Sequence, residues 1–235
     1  MSNKTVLITG TSKGIGQSIE KILVENGYKV FGCGRSLLEK ENYLSVDLTT
    51  KEGCENLVKK AKEYLGNIDI LINNAGEYIY SEIQNIDYET IERVSKLNFF
   101  APYYLSSLLI PEMKTKNWGR IVNIGSISGT IGEAGATLYS ATKSSFLGLT
   151  KALALEVATN NITVNTINPG WVDTELAKDS IEQSDFTVQD NLDVIPQKRF
   201  INPDEIANLV LYLISENAKG LTGQSISLCA GLSCG

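Results

Sequence analysis

The chain has 235 residues, 43% of them hydrophobic and 20% charged, with a formal net charge of −6. This is the balance of a globular protein with a sizeable core, and its acidity argues against nucleic acid and anionic membrane as partners. Histidine is absent, which excludes Ser-His-Asp hydrolysis, Cys-His nucleophiles and His-ligated zinc; acid–base chemistry falls to carboxylates, Lys, Tyr or Cys.

In chain order, short β-branched runs alternate with helical patterns. A strand at 4–9, KTVLIT, opens the chain, with neither the basic segment nor the apolar run of a secretory signal. Further strands are predicted at 28–33, 43–46, 68–73, 119–125, 161–168 and 224–229. Helical patterns fall at 14–26, 50–65, 87–115, 137–159 and 203–215. The strand runs are nearly continuously apolar, as for strands covered on both faces. Strands alternating with helices imply an α/β fold: a doubly wound parallel sheet of about seven strands, helices on both faces, three layers. No linker, repeat or low-complexity stretch interrupts residues 1–235, which read as a single domain. The segment 174–202 is long and polar with few helix signals, the profile of a lid or binding loop. No apolar run has the length of a membrane span. Cys33, Cys54, Cys229 and Cys234 form no CxxC pair, so a cytoplasmic location is expected and no metal site is.

The first strand runs straight into TGTSKGIG (9–16), with Gly10, Gly14 and Gly16. Glycines there permit a tight turn and close approach of backbone to a diphosphate, at which the following helix aims its free N–H groups. The position between first strand and first helix makes this a Rossmann-like dinucleotide turn. The second strand ends in FGCGRS, with Gly34 and Arg35 where an NAD-preferring chain would carry Asp or Glu for the adenosine ribose. A guanidinium can pair bidentately with a 2′-phosphate, and Lys13 adds a second positive charge, so NADP(H) is expected rather than NAD(H). The plain alternative is that both are solvated surface charges.

YSATK (139–143) sets Tyr139 and Lys143 at i and i+4 on one helix face. A free tyrosine titrates near ~10; a neighbouring ammonium, and the positive nicotinamide of an oxidised cofactor, favour phenolate and should lower that value. Tyr139 can then exchange a proton with a carbonyl or alcohol oxygen.

Taken together these segments resemble the short-chain dehydrogenase/reductase family over nearly the whole chain. VDL (46–48) is similar to the segment where an Asp meets the adenine, here Asp47 beside Leu48. NNAG (73–76) is similar to the fourth-strand motif, and GRIVNIGSISG (119–129) to the strand that carries the catalytic serine. The resemblance implies Ser126 as that serine, 13 residues before Tyr139, hydrogen-bonding the reacting oxygen. It implies Asn98, in KLNFFAP, as the holder of a water that links the lysine to solvent. It also implies cofactor contacts from Ser12, Ile15, Asn74, Ala75, Gly76, Tyr139 and Lys143. NPGWVDT (168–174) would grip the nicotinamide carboxamide through Pro169, Gly170, Val172 and Thr174. Glu77, Ile127, Glu133 and Trp171 are candidates for the substrate side. Singly, Tyr139 could be a half-buried aromatic, Ser126 a strand-end cap and Asn98 a helix cap; the ordered set favours the site.

The look is closest to 3-oxoacyl-(acyl-carrier-protein) reductases, and the implied reaction interconverts a ketone and a secondary alcohol, with a 3-oxoacyl-thioester-type or related ketone as substrate. Two departures bear on this. Only nine residues separate GRS from VDL, too few for a full helix. Asn117 and Asn160–Asn161 stand where those reductases place basic residues for an acidic carrier protein. Lys114 and Lys116 remain nearby, and Lys198 and Arg199 lie elsewhere. A net charge of −6 steers an acidic carrier poorly, so a sugar, glycan precursor or secondary-metabolite intermediate is the alternative substrate, and a non-catalytic NADP-binding regulator a more distant reading. The family implies a homotetramer or homodimer.

Overall fold

The computed structural model describes residues 4–175, 177, 181 and 187–234. Seven strands form one sheet: β1 (Thr5–Thr9), β2 (Lys29–Gly34), β3 (Tyr43–Ser45), β4 (Ile70–Asn73), β5 (Gly119–Ile124), β6 (Ile162–Pro169) and β7 (Ser225–Leu228). Their order is β3-β2-β1-β4-β5-β6-β7, every pair parallel. The helices are α1 (Gly14–Glu25), α2 (Lys51–Leu65), α3 (Tyr88–Ser95), α4 (Ala101–Lys116), α5 (Ser128–Ile131), α6 (Thr137–Val157), α7 (Val188–Val194) and α8 (Pro203–Leu213).

Each face of the sheet has its own core. On one, α1 turns Ile19, Ile22 and Leu23 inward against β1 and against Ile206, Ala207 and Val210 of α8. On the other, α2 (Leu57, Ala61, Leu65), α4 (Leu105, Leu109, Met113) and α6 (Val157) cover Leu7, Leu71 and Ile121. Alternate residues of one strand thus serve opposite layers, which is why the strand runs are apolar throughout. Each fully buried Leu or Ile contributes about 2 kcal/mol relative to exposure.

β2 and β3 lie on one side of β1 and β4 on the other. The connections leaving β1 and β4 therefore diverge, opening a crevice at the carboxyl ends of these strands. Three local features differ from or refine the sequence reading. The helical pattern at 87–115 is broken by a π turn at Lys96–Phe100. The segment 174–202 contains α7, started by a capping box in which Thr187 and Asp190 exchange hydrogen bonds. Residues 176, 178–180 and 182–186 of that segment lie outside the described residues. The short connection from β2 to β3 forms no helix, in keeping with its length.

Candidate active site

The glycine turn stands at the crevice. Gly10 has φ 74°, and a Cβ on Gly16 would lie 2.1 Å from the Gly10 carbonyl oxygen, so this reversal accommodates a side chain at neither position. The N-cap of α1, Lys13, offers no side-chain acceptor, and the first turn contains no acidic residue. Its free N–H groups and positive dipole end suit a diphosphate. Asn74, just past β4, donates to the carbonyls of Thr9 and Gly10 at 2.9 Å each. The Thr9 hydroxyl accepts from the amides of Asn74 and Ala75 at 3.0 and 2.9 Å.

A cleft of about 310 Å³ runs from this turn. It is lined by Gly10, Ser12, Lys13, Gly14 and Ile15, by Arg35, Asp47 and Leu48 at the ends of β2 and β3, and by Asn74, Ala75 and Gly76. Tyr139, Lys143 and Thr174 complete it. Gly16 packs behind the turn instead of lining the cleft. The residues fit a nicotinamide dinucleotide: free amides for the diphosphate and an exposed guanidinium at the end of β2. Of the two expected cations, Lys13 is already engaged, its ammonium 3.1 Å from the Glu175 carboxylate.

Tyr139 and Lys143 share a face of α6. The Lys143 ammonium donates to the Ile124 carbonyl at 2.9 Å and lies 5.7 Å from the Tyr139 ring centre. Ser126 follows β5, its hydroxyl accepting the Ser128 N–H at 3.1 Å. Asn98 sits in the π turn, fully buried. Its amide donates to the Glu77 carbonyl at 2.9 Å and to the Thr142 hydroxyl at 3.1 Å, and its oxygen accepts the Glu77 N–H at 2.9 Å. These bonds hold the widened turn, a local geometry that recurs at functional sites. A Cβ on Gly76 would come within 3.2 Å of the Lys143 ammonium and 3.3 Å of the Asn98 oxygen, so Gly76, Lys143 and Asn98 meet at one point.

Burial pushes the Tyr139 phenol up to about 12 and the Lys143 ammonium down to about 8. The Ser126 hydroxyl facing the phenol works against burial, and the Glu133 carboxylate adds to it. The expected lowering of Tyr139 by Lys143 is thus reversed in the protein by itself. Burial penalises the phenolate, and this outweighs the lowering by the Ser126 hydroxyl.

A larger cavity of about 590 Å³ opens on the other side of Tyr139, which lines both spaces. Ile127, Glu133 and Trp171 line it, together with Pro169, Gly170, Val172 and Thr174 at the end of β6. Glu77 does not. It lines the smaller cleft and pairs with Arg93 of α3, because Asn98 pins its backbone from both sides.

Sequence reasoning missed Tyr78, Ser128 and Thr142. The Tyr78 hydroxyl donates to Glu133 at 2.7 Å and its ring meets Tyr139 edge-on at 5.0 Å. Ser128 donates to the other Glu133 oxygen at 2.6 Å. Thr142 and Ser128 lie inside the motifs already singled out, and only their neighbours across the fold reveal them. Of the four cations weighed for carrier docking, three are engaged: Lys116 lies 2.9 Å from Glu112, Arg199 lies 2.6 Å from Glu205, and Lys198 donates to the Asp193 carbonyl at 2.5 Å.

Residues 4–185 match the family described as short chain dehydrogenase. The chain is 33% identical to the 3-oxoacyl-[acyl-carrier-protein] reductase of Vibrio cholerae, over 99% of this chain and 98% of that one. It is 34% identical to the acetoacetyl-CoA reductase of Cupriavidus necator, with 100% of each covered. Among solved structures, the 3-ketoacyl-(acyl-carrier-protein) reductase of Brucella melitensis complexed with NADH aligns with a TM-score of 0.88 at 25% identity, over 98% of each chain. ElxO with NADP bound aligns with a TM-score of 0.90 at 27% identity, over 99% of each. Likeness of this extent, end to end in sequence and fold, shows that the chain belongs to the short-chain dehydrogenase family of oxidoreductases.

Proposed function

We propose that the protein is an NADP(H)-dependent oxidoreductase that interconverts a ketone and a secondary alcohol, acting on a 3-oxoacyl-thioester-type or related small ketone. The observation that carries this reading is the position of Tyr139 at the junction of two spaces, one fitted to a dinucleotide and one open to substrate. The reduced cofactor, when bound, supplies a hydride to the carbonyl carbon. Tyr139, held protonated by burial, donates its proton to the carbonyl oxygen, so that ketone, hydride and proton sum to the alcohol. Ser126 hydrogen-bonds the same oxygen as charge develops on it. Lys143, buried beside the tyrosine, returns the proton, and Asn98 holds the water that links this lysine to solvent. Loss of NADPH absorbance on mixing with a panel of small ketones tests the reading; no turnover across the panel would refute it.

Arg35 supports NADP(H) over NAD(H). Arg35→Asp is expected to move the ratio of NADPH to NADH affinity toward NADH by roughly tenfold to a hundredfold, the worth of a charge-assisted pair turned into a repulsion. Fluorescence titration with both cofactors measures it, and an unmoved ratio would contradict the assignment. Exposed apolar side chains on α3–α4 (Tyr88, Ile91, Phe100, Tyr103) and α6 (Leu147, Leu155) support a homodimer or homotetramer that buries these helices. Four free cysteines, three of them buried, support a reducing, cytoplasmic location. Among the described residues no helix is long and apolar enough to cross a membrane.

A further inference from the structure

We infer that Glu133 sets substrate class: the cavity takes a neutral or cationic ketone and turns away one with an anionic group beside the carbonyl. The inference rests on the ketone-reductase reading above.

Glu133 lies in the connection between α5 and α6, flanked by Gly132 and Gly135, both at positive φ (78° and 77°). Its carboxylate is anchored at both oxygens, by the Tyr78 hydroxyl at 2.7 Å and the Ser128 hydroxyl at 2.6 Å. Each anchor also touches the proton-transfer apparatus. Ser128 stands 3.2 Å from the Ser126 hydroxyl, and the Tyr78 ring packs edge-on against Tyr139 at 5.0 Å. The negative charge is therefore held one side chain away from each of the two groups that would bind the reacting oxygen.

Among the described residues, no cation lies against that charge in the cavity. Both anchors are uncharged hydroxyls, and among the described residues that line the cavity there is no Lys or Arg. The other ionisable carboxylates on the wall are Asp190 and Asp193 of α7, of the same sign. Asp190 is occupied by the Thr187 hydroxyl and amide, and Asp193 by Gln189. Much of the remaining wall is apolar, including Ile131, Val172, Val194 and Leu232. An ionised carboxylate has about four acceptor positions, and two are used here. The free ones can accept from a substrate hydroxyl or ammonium. They repel a carboxylate or phosphate.

A matched pair of probes tests this on the enzyme with NADPH: ethyl acetoacetate, which is neutral, and acetoacetate, which is anionic. The readout is the ratio of their kcat/KM values, which an overall loss of activity does not move. In Glu133→Gln the preference for the neutral ester should shrink by at least about tenfold, chiefly through a lower KM for acetoacetate. Glu133→Asp, which keeps the charge, should retain most of the preference. A ratio unchanged in Glu133→Gln, or a wild type that prefers acetoacetate, would overturn the inference while leaving the reductase reading intact. If wild type reduces neither compound, the reductase reading is decided by the wider ketone panel and not by this pair. Saturation-transfer NMR of both compounds on the NADPH complex then decides the inference: weaker acetoacetate binding that is relieved in Glu133→Gln sustains it, and equal binding of the two by wild type overturns it.

Discussion

Tyr139→Phe lowers kcat for ketone reduction by roughly 10²–10⁴-fold, the usual worth of a positioned general acid. Phe keeps the ring that packs against Tyr78, so the fold is retained and the loss reports the hydroxyl alone. Cofactor affinity should change far less than kcat. The pH profile of wild type adds a second signature. A phenol held near 12 keeps its proton throughout the neutral range, so proton donation does not fade between pH 6 and 8 on account of the tyrosine. Lys143, brought down to about 8, loses its charge above that pH, and the reductive rate should decline there as the proton return fails. Steady-state rates of both proteins across pH check this. Near wild-type turnover by Tyr139→Phe would sink the proposed chemistry.

Lys143→Met is expected to abolish most activity and yet to unfold less readily at pH 7. The lysine is buried, and its ammonium has one hydrogen bond, to Ile124. Its folded value lies below the ordinary one of 10.5, so the unfolded chain binds more protons between about pH 8 and 10.5. Stability contributed by this group is therefore at its lowest below pH 8 and recovers as pH rises through that window. A shift of this size makes wild type gain about 2 kcal/mol on the Met variant between pH 7 and pH 9.5. Urea unfolding of the two proteins at both pH values measures the difference, in which the other titrating groups largely cancel. Parallel stability curves would show that the ammonium is not penalised by burial. A charge retained against its own solvation cost, in contact with the tyrosine, is what a site trading stability for chemistry requires.

The sequence by itself determined whatever depends on near neighbours. The apolar runs gave away the strands, of which β1, β4, β5 and β6 are buried along their whole length. The spacing of Tyr139 and Lys143 placed them on one helical face, and Gly10, Gly14 and Gly16 marked a turn that a side chain would block. These are consequences of backbone geometry over a few residues, so they are legible in one dimension. What only the tertiary structure decided involves pairs far apart in the chain. Glu77 sits beside the same motif as Asn74, yet Asn98 and Arg93 draw it into the smaller cleft. Glu133 is a substrate-side candidate in the sequence, but only the fold shows Tyr78 and Ser128 holding its carboxylate at the cavity wall. The long helix predicted over 87–115 gives no hint of its π turn, which exists because Asn98 finds the Glu77 backbone. The sign of the Tyr139 shift is the clearest case: the spacing to Lys143 leads one to expect a lowered value, and only the fold supplies the burial that raises it.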